Sequence, residues 1–220
     1  MYHLSSGSAD PGSVKTCNSA WDEDYQRRGA LWGGIPAPLP ALPAGAAVLE
    51  LGCGNGKTLA ALTRQPWSVT AVDISPHAVS LAGRRMKNAA AGLVVADAMC
   101  LPFRKETFDA IFLVHIAGHL PEAGRRSMAS EVLRLLKPGG TVFFRAFSVE
   151  DMRAGKGEEM EPQTFRRGGG IITHYFTEAG VEELFASLIP MRVRTHRWQM
   201  RVRGRDLPRA EVEAVFQKRV

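Results

Sequence analysis

The stretch that most constrains the fold runs from Val48 to Thr58, with the sequence V-L-E-L-G-C-G-N-G-K-T. A short apolar run leads directly into three glycines at alternate positions, which predicts a strand, a tight turn and the start of a helix. Gly52, Gly54 and Gly56 permit positive φ and let a ligand approach the main chain closely. The helix that follows offers unpaired N–H groups and the positive end of its dipole. A turn of this kind is suited to holding a ligand.

Two classes of ligand compete for this turn. A dinucleotide fingerprint has the spacing G-x-G-x-x-G, but Lys57 stands where its third glycine belongs. Glu50 precedes the first glycine by two residues and would repel a pyrophosphate, whereas its charge suits a cation such as a sulfonium with a free amino group. The spacing therefore favours the cationic ligand, and a glycine-rich turn without a ligand is the alternative.

Two further acids follow later apolar runs. Trp67 to Val72 leads to Asp73, which lies 21 positions after the first glycine. A second-strand acid that receives ribose hydroxyls is expected at about 20 positions, and a carboxylate can accept two hydroxyl hydrogen bonds at once. Leu93 to Ala96 leads in the same way to Asp97. Together with Glu50, these acids close or nearly close three successive strands.

This set of residues resembles class I S-adenosylmethionine-dependent methyltransferases. The resemblance covers roughly Val48 to Phe147, and the segments Leu101–Ala110 and Glu131–Gly140 are also typical of the family. It implies an α/β, Rossmann-like three-layer α/β/α sandwich with a mostly parallel seven-stranded sheet whose last strand is antiparallel. It also implies the cofactor S-adenosyl-L-methionine, the product S-adenosyl-L-homocysteine, and a place for Asp97 beside the adenine amino group. The expected cofactor-binding residues are Glu50, Gly52, Cys53, Gly54, Asn55, Gly56, Asp73, Ile74, Asp97, Ala98 and Val114.

The remaining pattern alternates helices and strands, as in an α/β protein. We expect a helix over about Lys57–Arg64 and another that starts at the N-cap Ser75. Phe108–Val114 is a nearly continuous apolar run, which predicts a central strand covered on both faces. A later helix should end at Lys137–Gly140, and Thr141–Phe147 should form the next strand.

Length and composition agree with one such domain. With 220 residues, of which 45% are hydrophobic and 23% charged, the chain can bury a full core. We expect an N-terminal arm or lid over 1–44, a cofactor-binding core over 45–147, a connection that covers the active site over 148–176, and a C-terminal helix and strands over 177–220. No run of about 18 apolar residues indicates a membrane span, and no apolar signal core opens the chain. A cytoplasmic protein with free cysteines, no metal site and no membrane association is predicted.

The N-terminal arm carries aromatic residues. Trp21 and Tyr25 are four positions apart and would share one helix face, while Ser19 and Asp22 form a candidate capping box. The segment resembles the lid of small-molecule methyltransferases, including thiol and tellurite-resistance types. We hypothesise that Trp21, Tyr25 and Trp32 help form the substrate pocket; ordinary packing of the arm on the domain is the alternative.

Methyl transfer depends on alignment more than on side-chain chemistry, so a base is optional. If the acceptor carries a proton, a histidine could remove it near neutral pH. His115 and His119 follow the fourth strand, where open α/β sheets place ligands, and are the candidate bases or substrate-orienting groups. In the connection, Arg166, His174 and Tyr175 are candidate substrate contacts, with Arg166 suited to an anionic group. Purely structural roles are the alternative for each.

The nature of the methyl acceptor stays open at this point. The chain has a net charge of +6, and the segment 192–220 holds nine Lys or Arg against three acids. Such a tail suits nucleic-acid phosphates, and the motifs also resemble methyltransferases that finish wobble-uridine modifications in tRNA. No appended RNA-binding module is visible, and arginines on an edge strand also resist aggregation, so a small-molecule acceptor such as a thiol is favoured. The third alternative is a cofactor-binding, non-catalytic partner subunit.

Overall fold

The computed structural model describes residues 17–29, 39–86, 91–167 and 170–220. The helices of this part of the chain are α1 (Cys17–Arg28), α2 (Leu59–Leu62), α3 (Pro76–Arg85), α4 (Glu122–Leu135) and α5 (Glu178–Leu184). The strands are β1 (Ala47–Leu51), β2 (Ser68–Asp73), β3 (Ala91–Val95), β4 (Phe108–Val114), β5 (Leu136–Phe147), β6 (Glu158–Glu161), β7 (Thr164–Arg166), β8 (Ile172–His174), β9 (Ile189–Val202) and β10 (Arg205–Gln217). A 3-10 turn over Ile116–His119 follows β4.

Seven of these strands form one sheet in the order β3-β2-β1-β4-β5-β10-β9. Strands β1 to β5 pair in parallel with one another, whereas β10 runs antiparallel to both β5 and β9. The predicted Rossmann-like sheet with an antiparallel last strand is therefore confirmed. The strand order reverses between β1 and β4, and open α/β sheets bind ligands outside the carboxyl ends at such a point.

Helices cover the sheet on both sides, which gives the predicted three layers. On one face, Val48, Ala71 and Phe112 pack with residues of α2 and α3 such as Leu59 and Ala82. On the other face, a larger cluster joins β1, β4, β5 and β10 to α4 and α5; it includes Ile111, Leu113, Val142, Phe144, Val212, Met128, Val132, Val181 and Phe185. Both clusters leave the carboxyl ends of β1, β2 and β4 free to carry polar residues.

Helix α3 starts as its sequence predicts. The Ser75 hydroxyl accepts a hydrogen bond from Ala78 N at 3.0 Å, and Pro76 stands at the first helical position. The expected capping box at the arm is wrong, because α1 already begins at Cys17 and Ser19 lies within it. Asp22 instead accepts hydrogen bonds from Ser75 and His77 at the start of α3.

Three segments differ from the expected elements. Helix α2 is shorter than the predicted Lys57–Arg64 and covers only Leu59–Leu62. Strand β5 begins at Leu136, so the prolyl-glycyl segment over 137–140 belongs to a strand rather than to a simple helix stop. The connection over 148–176 contains a three-stranded antiparallel sheet, β6-β7-β8, whose strands of three or four residues are too short to show periodicity. Among the described residues, no helix has the length and apolar character needed to cross a membrane.

Candidate functional site

The glycine turn after β1 is anchored to the end of β2. Gly52 N donates a hydrogen bond to Val72 O at 2.8 Å. Gly54 N donates to one carboxylate oxygen of Asp73 at 2.8 Å, and Ser75 N donates to the other at 3.0 Å. Asp73 therefore holds the glycine turn and the start of α3 in a fixed relation to each other.

All three glycines of the turn are required by both conformation and space. Gly52 has a φ of 72°, and a Cβ placed on it would lie 2.8 Å from the Cβ of Ile116. Gly54 has a φ of 53°, and a Cβ placed on it would collide with the hydroxyl of Tyr25. Gly56 has a φ of 78°, and its Cβ would lie 3.2 Å from the Cα of Ala82 in α3. Because φ is positive at all three positions, any other residue would also be strained there. The turn thus lies tightly between α1 and α3.

Glu50 supplies a buried acid without a matching donor. Its residue is 2% exposed, and among the described residues its Oε2 atom has no hydrogen-bond partner. Burial, followed by the nearby charge of Asp73, raises the pKa of Glu50 to about 8. An ionised carboxylate in such a place is costly unless a donor or a cation pairs with it. The site therefore fits a ligand that brings a positively charged, hydrogen-bonding group to Glu50.

The other expected cofactor residues collect at the same edge of the sheet. Cys53 and Asn55 are buried in the turn, and burial together with Glu50 raises the pKa of the Cys53 thiol. The remaining members lie at or just after the ends of β2, β3 and β4: Ile74, Asp97, Ala98 and Val114. Asp97 is half-buried, and its Oδ1 accepts a hydrogen bond from Met99 N at 2.9 Å. The structure thus brings the predicted set together, while cofactor contact by each residue stays a prediction.

Helix α1 lies across this edge and is fixed by Asp22. One carboxylate oxygen of Asp22 accepts hydrogen bonds from Ser75 Oγ at 2.6 Å and from His77 N at 3.1 Å, at the start of α3. The ring of Trp21 packs edge-on against His119 with centroids 4.7 Å apart, and the Tyr25 hydroxyl lies over the glycine turn. Sequence reasoning missed the role of Asp22, since its partners are more than 50 positions away. Trp32, predicted beside them, lies outside the described residues.

His119 has a defined tautomer. Its Nδ1 atom is 2.8 Å from the carbonyl oxygen of Ile172. Because a carbonyl can only accept, Nδ1 carries the proton, and Nε2 holds the lone pair of the neutral ring. Burial lowers the pKa of His119, so the ring is neutral near pH 7. A neutral imidazole beside Trp21 of α1 has the properties of a proton acceptor.

His115 faces a different part of the molecule. It follows β4 with a φ of 65°, stacks on Phe147 with centroids 4.3 Å apart, and places Nε2 3.5 Å from Glu211 of β10. Burial, with nearby cations such as Arg145, lowers the pKa of His115 to about 3. His115 is therefore neutral and turned toward the β5–β10 side of the sheet, whereas His119 lies under α1.

The small sheet carries the last three predicted substrate residues. His174 in β8 lies beside the turn that holds His119, since a Cβ on Gly118 would be 3.1 Å from the His174 carbonyl oxygen. Tyr175 is 2% exposed, so its side chain belongs to the packed interior. Arg166 forms an exposed ion pair with Glu158 at 2.7 Å within the β6–β7 hairpin. His174 is thus close to the candidate base, while Arg166 is engaged elsewhere; substrate contact by any of them stays a prediction.

Comparison with known proteins identifies the central part of the chain. Residues 48–140 match a family model described as a methyltransferase domain. A tRNA (carboxymethyluridine(34)-5-O)-methyltransferase of Arabidopsis thaliana is 34% identical over 56% of this chain and 29% of its own length. A 2-methyl-6-phytyl-1,4-hydroquinone methyltransferase of Synechocystis is 34% identical over 59% of this chain and 40% of its own length. The chain thus spans less than half the length of these curated relatives.

The fold has close counterparts among solved structures. The crystal structure of a SAM-dependent methyltransferase from Methanosarcina mazei superposes with a TM-score of 0.66 at 24% identity. The match covers 81% of this chain and 95% of that chain. At this identity the likeness establishes the shared fold.

The raised pKa of Glu50 predicts a specific pH dependence of stability. The pKa is about 8 in the folded protein against an ordinary value of 4.5, so between these values the folded state holds a proton that the unfolded chain has lost. The contribution of Glu50 to the free energy of unfolding is fully present below about pH 4.5 and is lost as pH rises through about 8.

The Glu50→Gln variant has no group that titrates at this position. We therefore expect its free energy of unfolding to increase relative to that of the wild type as pH rises from 5 to 8. Urea unfolding across that range measures it, with the exposed Glu182→Gln as control. Parallel profiles for wild type and Glu50→Gln would contradict the burial of a titrating carboxyl.

The Asp22 contacts predict that one side chain holds α1 in place. Asp22→Ala removes the two hydrogen bonds that tie this side chain to α3, each worth about 1.5–3 kcal/mol, and an exposed third one from Gln26. We expect the amide protons of α1 to exchange about tenfold faster or more in this variant, since 1.4 kcal/mol corresponds to a factor of about 10. Hydrogen exchange followed by mass spectrometry measures the effect. Gln26→Ala is the matched control, because it removes only an exposed contact to the other oxygen of Asp22. Equal exchange in both variants would show that Asp22 does not fix the helix.

Proposed function

We propose that this chain, which through residues 48–140 belongs to the class I S-adenosylmethionine-dependent methyltransferases, transfers a methyl group to a nucleophilic acceptor. The observation that carries the proposal is the buried Glu50 carboxyl, whose Oε2 atom has no hydrogen-bond partner in the described part of the chain, beside a glycine turn that Asp73 anchors. When bound, S-adenosyl-L-methionine supplies a methyl group already activated by its sulfonium and leaves as S-adenosyl-L-homocysteine.

The chain holds such a donor through its three strand-end acids. Glu50 is the acceptor for the cationic, amino-bearing part, because its Oε2 atom has no other partner among the described residues. Each oxygen of Asp73 already accepts one backbone N–H and keeps a further lone pair for a ribose hydroxyl. By family resemblance, Asp97 at the end of β3 lies next to the adenine amino group. The glycine turn between Glu50 and Asp73 lets the ligand approach the protein main chain closely.

The remaining work of the protein is alignment and exclusion of water. Helix α1, with Trp21 and Tyr25, covers the edge of the sheet where donor and acceptor meet. If the acceptor carries a proton, His119 takes it at Nε2, the ring nitrogen that holds the lone pair. His115 is the less suitable base, because its ring is turned toward Glu211 and Phe147.

Two classes of acceptor are compatible with this site. A small molecule such as a thiol is supported by the cover that α1 forms over His119 and the glycine turn. An RNA nucleoside is supported by the relative named as a tRNA methyltransferase and by the arginine-rich strand β9. In either case the reaction is an in-line displacement at the donor methyl group, in the cytoplasm by prediction. A non-catalytic partner subunit is the alternative in which the donor binds but is not consumed.

Calorimetry and a product assay test the proposal together. We expect S-adenosyl-L-methionine to bind the wild type, and Glu50→Gln to weaken binding by about 10- to 100-fold, the value of a hydrogen bond to a charged group. Release of S-adenosyl-L-homocysteine is then measured against small thiols, metalloid oxyanions and unmodified tRNA. Product formation with one class identifies the acceptor. Binding without product from any class would favour the partner-subunit alternative, and absence of binding would contradict the proposal.

The geometry of His119 predicts a selective loss of catalysis. We expect His119→Ala to leave donor affinity unchanged and to lower the rate of methyl transfer by about 100-fold or more, the usual contribution of a general base. Calorimetry and single-turnover product release separate the two quantities. Full retention of the rate, with an acceptor that must lose a proton, would exclude His119 as the base.

A further inference from the structure

The two faces of the β5–β10–β9 part of the sheet differ in composition. Directly paired residues of antiparallel strands point to the same face. On one face, the pairs Ala146–Val212 and Phe144–Ala214 are buried against α4 and α5. On the other face, the register aligns charged and aromatic residues in rows: Arg145–Glu213–Arg194, Phe147–Glu211–His196 and Arg209–Trp198. This second face, here called the arginine–aromatic face, is built from groups that recognise polar ligands rather than from core residues.

Rings and guanidinium groups form a continuous row across the arginine–aromatic face. His115 stacks on Phe147 with centroids 4.3 Å apart. The guanidinium of Arg209 lies 5.5 Å from the Phe147 ring and 5.3 Å from the Trp198 ring. His196 stacks on Trp198 with centroids 5.3 Å apart. The row therefore runs from the carboxyl end of β4, next to the proposed active site, to the edge strand β9.

The outer part of the row is accessible, whereas its inner part is fixed. Arg209 is 8% exposed and donates to the buried Asp151 at 2.6 Å, so the guanidinium beside Trp198 is held in place. His196 is exposed and Trp198 is half-buried, so these rings can take a further ring against them. A held, partly exposed indole is a preorganised stacking surface.

The charges of the face favour an anionic partner. Six arginines belong to it or lie over it (Arg145, Arg153, Arg192, Arg194, Arg205 and Arg209), together with three acids (Asp151, Glu211 and Glu213). The acids lie inward: the Glu213 side chain is 14% exposed, whereas its partner Arg194 is 56% exposed. Arg192 is exposed as well. Solvent therefore meets guanidinium groups, which pair well with phosphate.

We propose that the arginine–aromatic face binds single-stranded RNA, with bases stacked at Trp198 and His196 and phosphates at Arg192 and Arg194. Aromatic stacking combined with a cationic surface is the common mode of single-strand recognition. A second copy of this chain is disfavoured as the occupant, because each copy carries a net charge of +6. RNA held here would be led along the row to the carboxyl end of β4, where His115 lies. Only this last step rests on the proposed methyltransferase function.

Fluorescence anisotropy with a labelled oligouridylate and with unmodified tRNA tests the surface without any methyl donor. We expect wild-type binding that weakens with added salt. The double variant Trp198→Ala, His196→Ala should lower affinity by about 5- to 100-fold, the loss for one stacked base, and Trp198→Phe should retain most of it. The double variant Arg192→Ala, Arg194→Ala should reduce the slope of log affinity against log salt by about 1.4, since each phosphate contact to a single strand contributes about 0.7.

Arg104→Ala, Lys105→Ala is the charge-matched control, because both side chains are exposed in the segment before β4, away from the face. Its RNA affinity should follow the wild type. The inference is overturned if the wild type binds neither RNA at low salt, or if the control loses as much as the arginine variant. It is also overturned if dextran sulfate binds equally well and the ring variants change nothing.

The two proposals fail separately. Affinity for S-adenosyl-L-homocysteine, measured in every variant, reports an intact fold and donor site. Product formation from a thiol in the absence of RNA binding would support the proposed methyl transfer and contradict the proposed RNA binding. RNA binding by a protein that binds no donor would support the RNA-binding proposal and contradict the proposed methyl transfer.

Discussion

The structure depends on the placement of two carboxyl groups, Glu50 and Asp73, at the ends of adjacent parallel strands. Their environments differ although both are buried. Asp73 receives backbone N–H groups from Gly54 and Ser75, which offset the cost of its burial. Glu50 receives no comparable donor at Oε2 among the described residues. One acid thereby builds the site, and the other leaves it incomplete until a ligand arrives.

Most of this centre could be predicted because its rules are local. The alternate glycines, the acid two residues before them and Ser75 as a helix cap all act within a few positions along the chain. The mostly parallel seven-stranded sheet and its antiparallel strand followed from the family resemblance, and the structure confirms them. Element bounds were less accurate at α2 and β5, where tertiary pairing overrides local propensity.

What the sequence did not reveal depends on contacts between distant positions. Asp22 looked like part of a capping box in its own helix, whereas it caps α3 across more than 50 positions. The row of rings joins His115 after β4, Phe147 of β5 and Trp198 of β9. It can be recognised only when the register of β5, β10 and β9 is known. The sequence shows only an arginine-rich tail without a visible RNA-binding module, which favours a small-molecule acceptor over RNA. The register places arginines and aromatic rings on one face of the sheet, which is the surface proposed to bind RNA.

The position of Tyr25 has a kinetic consequence. Its hydroxyl occupies the space directly above Gly54, and its helix is fastened to α3 through Asp22. Any atom placed where a Cβ of residue 54 would lie therefore meets the Tyr25 hydroxyl of α1. If the chain binds the donor as proposed, exchange of the spent donor is coupled to motion of α1, and motions of whole helices are slower than the side-chain fluctuations around them. Substitutions that weaken the Asp22 contact to α3 would then change the rate of donor exchange without altering Glu50 or Asp73.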